Sequence, residues 1–112
     1  MFDKDAAVLQ GTVELLVLKR LSWGPMHGYG IARWIESATG DVLRVEEGSL
    51  YPALYRMIRK GWITGEWGTS DNNRRAKFYR LTKAGERELE QQANGWHRLS
   101  HAVSRAVRAT GP

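Results

Sequence analysis

The stretch EEGSLYPALYRMIRKGW, residues 46–62, carries two kinds of side chain at helical spacing. On a helical wheel Leu50, Leu54, Met57 and Ile58 fall on one side, and Ser49, Pro52, Tyr55, Arg56, Arg59 and Lys60 gather on the other. The polar side supplies hydroxyl donors, planar guanidinium forks and an ammonium point charge, the groups that bind phosphate oxygens and guanine edges. Tyr51 lies between the two sides near the start of the segment, where its phenol can reach a phosphate or close the edge of the core. A solvated helix face is the plain alternative for such a surface. A second basic element, NNRR at residues 72–75 followed by Lys77, argues against it: Arg74, Arg75 and Lys77 are placed to reach a nucleic-acid backbone or the adjacent minor groove. Asn72 and Asn73 tolerate left-handed backbone and shape the tip between the strands.

Other chemistries find less support. The candidates for acid–base work are His27, His97, His101 and the pair Glu46 and Glu47, and no nucleophile, paired acid or phosphate loop accompanies them, so no enzyme and no cofactor are expected. His97 and His101 stand four apart on a helical pattern, but without a third ligand a solvated pair is favoured over a metal site. For His27 capping or packing is expected rather than contact with nucleic acid. The chain has no cysteine, which excludes a disulfide framework and a thiolate metal site.

At 112 residues one small domain is expected, its core holding the fold without covalent help. The formal net charge is +5 and unevenly spread: residues 1–43 hold four Lys/Arg against five Asp/Glu, whereas residues 44–80 hold eight against four. A basic middle on a neutral body suits a polyanion. The opening MFDKDAAVLQG lacks a basic segment followed by an apolar run, and no apolar stretch approaches the roughly 20 residues that span a bilayer, so a cytoplasmic protein without membrane association is expected.

The elements that must position these groups follow from periodicity. TVELLVLKRLSW places Val13, Leu16, Val17 and Leu21 on one side of a first helix, which WGP at residues 23–25 stops. HGYGIARWIESATG repeats the pattern with Ile31, Trp34, Ile35 and Ala38 and ends at Gly40. Its exposed first N–H groups suit a phosphate oxygen to which Tyr29 can also donate, and Gly28 and Gly30 point to a close approach of backbone to the third helix or to DNA. In the third helix Ser49 is expected as the cap, with Pro52 in the first turn and Gly61 as the stop. The period then changes to two: ITGEWG and RAKFYRLT read as a β-hairpin over residues 62–82, and Thr82 stands where a cap belongs before a fourth helix. That helix spaces Leu89, Ala93, Trp96, Ser100, Val103 and Val107 by fours and threes, a heptad seam that Gly95 weakens locally.

The predicted fold is mainly α with a small β-hairpin: a winged helix-turn-helix over residues 1–82 and a long C-terminal helix over residues 83–112. The seam is expected to pair with its copy in a homodimer. Trp96, beside Ala93 and Gly95, either fills that dimer core or offers a flat surface to a small aromatic or cationic effector.

The segments LLVLKRLSWGPMHGYGIARWIE, VEEGSLYPALYRMIRKGWI and EWGTSDNNRRAKFYRLTKAGERELE, in this order, resemble the PadR family of bacterial transcriptional regulators in its small form, from Gly11 to about Trp96. The resemblance implies a homodimer, mostly a repressor, that binds a roughly palindromic double-stranded operator and is released by a small molecule whose identity does not carry over. A winged-helix adaptor for other proteins is the alternative, and it leaves the two basic elements unexplained.

Overall fold

The structure, a computed structural model, describes residues 6–112. Seven elements follow in chain order: α1 (Ala6–Leu21), β1 (Met26–His27), α2 (Gly28–Ala38), α3 (Glu47–Arg59), β2 (Ile63–Thr69), β3 (Arg75–Leu81) and α4 (Lys83–Val107). This is the expected winged helix-turn-helix with a long final helix. One strand was not anticipated: Met26 and His27, read as turn and helix start, pair antiparallel with Tyr79 and Phe78 and complete a three-stranded sheet in the order β1-β3-β2.

Apolar stripes of the first three helices meet the sheet base in one core. Val13, Val17, Leu18 and Leu21 of α1, Ile31 and Ile35 of α2, and Leu50, Ala53, Leu54 and Met57 of α3 are buried together with Ile63 and Tyr79. Two expected core positions are displaced. Leu18 is fully buried while Leu16 is only partly so, and Ala38 in the last turn of α2 is exposed. The helix ends behave as their glycines require. Gly40 and Gly61 take φ of +59° and +79°. After each, the next residue donates back across the last turn, Asp41 to the Glu36 carbonyl at 2.8 Å and Trp62 to the Met57 carbonyl at 3.0 Å.

The start of α3 corrects the expected cap. The helix begins at Glu47 with Glu46 at the N-cap, and the Glu46 carbonyl accepts from both Ser49 and Leu50 N–H at 2.9 Å. Ser49 is therefore inside the first turn, and Pro52 is the sixth helical residue rather than one of the first. Its ring offers no N–H to the Gly48 carbonyl, but both residues lie on the exposed side, where water can serve instead. Glu47 in the first turn complements the positive end of the helix dipole.

Thr82 caps α4 as expected: its hydroxyl accepts from Gly85 N–H at 3.0 Å and donates to the Gly61 carbonyl at 2.6 Å, tying the long helix to the corner between α3 and β2. Gly85 makes that junction possible. A Cβ there would run into the Trp62 carbonyl oxygen and come within 2.8 Å of Leu81 Cδ1. At Gly95, by contrast, a Cβ meets nothing within 4 Å. Gly85→Ala should therefore lower the unfolding free energy by about 1–3 kcal/mol despite alanine's better helix propensity. Gly95→Ala should raise it by about 0.5–1 kcal/mol. Urea unfolding at matched protein concentration checks both signs.

Candidate nucleic-acid interface

With Leu50, Ala53, Leu54 and Met57 turned inward, helical spacing leaves Tyr55 and Arg59 on the opposite face of α3. Tyr55 is 63% exposed, and the Arg59 guanidinium lies 5.8 Å from its ring centroid, a flat pair presented to solvent. Ser49 and Pro52 are exposed on the N-terminal half of the same helix.

Arg56 and Lys60, expected on that face, are turned to its flank. Arg56 Nε donates to Glu14 Oε2 at 3.1 Å, and Lys60 Nζ stands 3.9 Å from Glu14 Oε1 and 4.6 Å from the Trp62 ring centroid. The reason is electrostatic: Glu14 sits on the buried side of α1 with only 6% exposure, and a carboxylate in that position must be paired. The partners come from a helix 42 residues away in sequence, so no local pattern announces the pair.

Tyr51 closes the edge of the core and stays partly open to solvent. It is exposed along one side, yet its ring lies on the start of α2, where a Cβ on Gly28 would stand 2.8 Å from the phenol oxygen. Gly28 is thus a close approach to α3. Behind it Tyr79 is buried, and that burial, with the neighbouring Tyr51 phenol, raises its pKa above the ordinary tyrosine value, keeping the phenol neutral. His27 caps α2: its Nδ1 accepts from Gly30 N–H at 3.0 Å, and its ring packs edge-on against Phe78 at 5.4 Å. Tyr29 projects from the same turn, 64% exposed, and its hydroxyl accepts from Arg33 Nη1 at 3.2 Å. Arg33 was missed in the sequence, although its spacing of four from Tyr29 was the available signal.

The tip of the hairpin is fixed by its own hydrogen bonds. Ser70 N–H donates to the Arg74 carbonyl at 2.8 Å, Ser70 Oγ donates to Asn72 Oδ1 at 2.5 Å, and Asn73 takes φ +63°. Of the two asparagines, Asn73 supplies the left-handed residue and Asn72 the side-chain bond. A groove lined by His27, Tyr29, Asn72, Arg74 and Arg75 joins this tip to the first turn of α2. Lys77 is partly buried, with its stem across Gly65 rather than at the tip.

Along α4 the heptad seam divides. Leu89 packs against the chain's own core and Ala93 is half-buried. Beyond them Trp96 is 47% exposed, Ser100 half-buried, and Val103 and Val107 exposed, with nothing covering them among the described residues. Leu99 joins the exposed stripe, a residue the strict heptad spacing had passed over. His97 and His101 lie on a face shared with Arg98 and Arg105. Among the described residues no helix is long and apolar enough to cross a membrane.

The model of the transcriptional regulator PadR-like family matches residues 17–91, which run from the end of α1 into the first half of α4 and contain β1, α2, α3, β2 and β3 whole. The chain belongs to this family. PadR-like proteins are regulators of transcription, not a family of enzymes, and the chain is a transcriptional regulator by that membership. A transcriptional regulator from Clostridium thermocellum is similar in structure, with TM-score 0.81, 26% identity, and coverage of 91% of this chain and 99% of that one. A PadR-like transcriptional regulator from Bacillus cereus gives TM-score 0.78 at 27% identity, covering 92% and 98% of the two chains. In sequence, a 37.1 kDa protein in transposon TN4556 of Streptomyces fradiae is 38% identical over 90 residues, which are 80% of this chain and 24% of that protein.

Within this PadR-like frame, Tyr55 and Arg56 separate by what they hold. Arg56→Ala should cost about 1–3 kcal/mol of stability, because Glu14 keeps its burial and loses its nearer partner. Tyr55→Ala should stay within about 0.5 kcal/mol of the parent. Chemical unfolding of the two variants measures the difference.

Proposed function

We propose that this PadR-like regulator acts as a homodimer that binds an inverted-repeat operator in duplex DNA, represses transcription there, and is released by a small planar aromatic or cationic compound. The observation that carries the reading is the meeting of three basic or phenolic elements: Tyr29 and the wing residues Arg74 and Arg75 line one groove, and Tyr51 of α3 lies against the same turn of α2. In this arrangement Tyr55 and Arg59 enter the major groove and read base edges. Tyr29, Ser49 and Tyr51 hold the flanking phosphates, and Arg74, Arg75 and Lys77 engage the backbone beside the wing. Arg56 and Lys60 add positive potential at the flank while Glu14 fixes their direction.

Dimerisation is supported by the outer half of α4, where Trp96, Leu99, Val103 and Val107 form an apolar stripe left exposed among the described residues. Ser100 falls on the same seam, and Leu89 and Ala93 extend it toward the domain. Two recognition helices on one body meet half-sites about 34 Å apart only when a second copy fixes their separation. Trp96 beside Ala93 gives an effector a flat surface at that seam. A compound stacked there acts by favouring one separation of the recognition helices, so its binding and operator binding are linked reciprocally.

Fluorescence anisotropy with duplexes selected from a random pool tests the DNA reading. Affinity should fall steeply with salt, by about 0.9 log units per tenfold salt for each phosphate neutralised. Arg74→Ala should weaken selected and random duplexes alike, whereas Tyr55→Ala or Arg59→Ala should narrow the gap between them. Salt-insensitive binding, or none to any duplex, contradicts the proposal. Truncation after Glu88 should yield a monomer with weak, nonspecific affinity; a truncated chain that stays dimeric by light scattering would show that the seam has another use.

A further inference from the structure

Trp67 sits in the middle of β2 and is nevertheless 61% exposed. Its cross-strand partner is Lys77, and the Arg75 guanidinium lies over its ring, 5.0 Å from the centroid. The register decides which way this group faces. Alternation puts Trp67 on the same side of the hairpin as Ile63, Gly65, Arg75, Lys77 and Tyr79. At the sheet base that side is buried, and a Cβ on Gly65 would come within 3.5 Å of Ile58 Cδ1 of α3. The outer half of the same side therefore continues from the recognition helix toward the tip. It carries an indole among cations, and Arg75 belongs at once to this stack and to the groove that contains Tyr29 and Arg74.

An aromatic plate rimmed by positive charge suits a ligand that alternates apolar surface with anions. A purely apolar protein partner would leave Arg75 and Lys77 desolvated and unpaired. Deoxyribose faces flanked by phosphates meet both demands, and the walls of a minor groove present them in two facing rows. A narrow A·T-rich groove also concentrates the negative potential that draws an arginine inward.

We infer that Trp67, held flat by Arg75, is a specificity-determining residue of the wing: its indole packs on the sugars of the operator's flanking minor groove and confers preference for an A·T-rich flank. This rests on the operator-binding reading above. No phosphate is neutralised by the indole itself, so its contribution is insensitive to salt, whereas that of Arg75 is not.

The test uses the full chain and duplexes selected by it, with the wing-side flank rewritten as A·T or as G·C pairs. The parent should bind the A·T-flanked duplex at least about fivefold more tightly. Trp67→Thr keeps a strand-forming residue in β2 and should lose about tenfold on that duplex. Its flank preference should shrink to within about twofold while the salt slope stays that of the parent. Trp67→Phe should restore most of the preference, and Arg75→Ala should lower the salt slope by about one. Trp67→Thr binding both duplexes as the parent does overturns the inference, as does a loss confined to single-stranded DNA, which would mark a stacking platform for unpaired bases instead. An equal loss on both flanks with a reduced salt slope also overturns it, because the indole would then serve only to hold Arg75. A parent chain that binds no duplex at all defeats the operator reading together with this one.

Discussion

Leu50, Ala53, Leu54 and Met57 are each at most 1% exposed, and their burial against α1 and the base of the sheet fixes the rotation of α3 about its axis. A helix held on four points in a close-packed core cannot turn its outer face without opening cavities, and each large side chain withdrawn from the core costs about 2–5 kcal/mol. The direction in which Tyr55 and Arg59 point is thus a consequence of packing. The neighbouring elements take their places around that helix: Tyr51 rests on the turn that Gly28 leaves clear, Ile58 lies over Gly65 of the wing, and Thr82 binds the corner after Gly61 to the start of α4.

Charge is distributed with the same economy. Glu14 is the acidic group inside the apolar side of α1, and its pairing with Arg56 and Lys60 ties the first helix to the recognition helix. Burial of a carboxylate is unfavourable unless paired, so the pair contributes direction more than stability. Two cations are thereby drawn to the flank of α3. Arg59 of α3 and the arginines at the tip of the wing remain exposed, and Arg33, Arg59 and Arg75 each lie over an aromatic ring.

Much of this was legible in the sequence, and the failures have physical causes. The stripe of α3 and the alternation of β2 and β3 were plain because each element buries a single face. The stripe of α1 was blurred because four consecutive apolar residues, LLVL at 15–18, cover every side of a helix turn; α1 touches α2, α3 and α4 at once, so periodicity did not choose between Leu16 and Leu18. β1 was invisible because two residues make a strand only by virtue of a partner more than fifty positions away. Ser49 is a good capping residue in isolation, yet the chain enters the helix earlier, at Glu46, where the backbone carbonyl and the helix dipole serve without a side-chain bond. The wheel alone placed Arg56 and Lys60 with Tyr55, and the buried acid that turns them aside lies on another helix. A glutamate standing alone in an apolar run was the one available sign.

Photo-crosslinking from single positions reads which side of α3 faces DNA. A benzophenone side chain placed at Tyr55 should crosslink to a duplex selected by the full chain, and the same group at Lys60 should crosslink far less, because that position turns toward Glu14 and the flank of the helix. Efficient crosslinking from position 60 with none from position 55 would contradict the account.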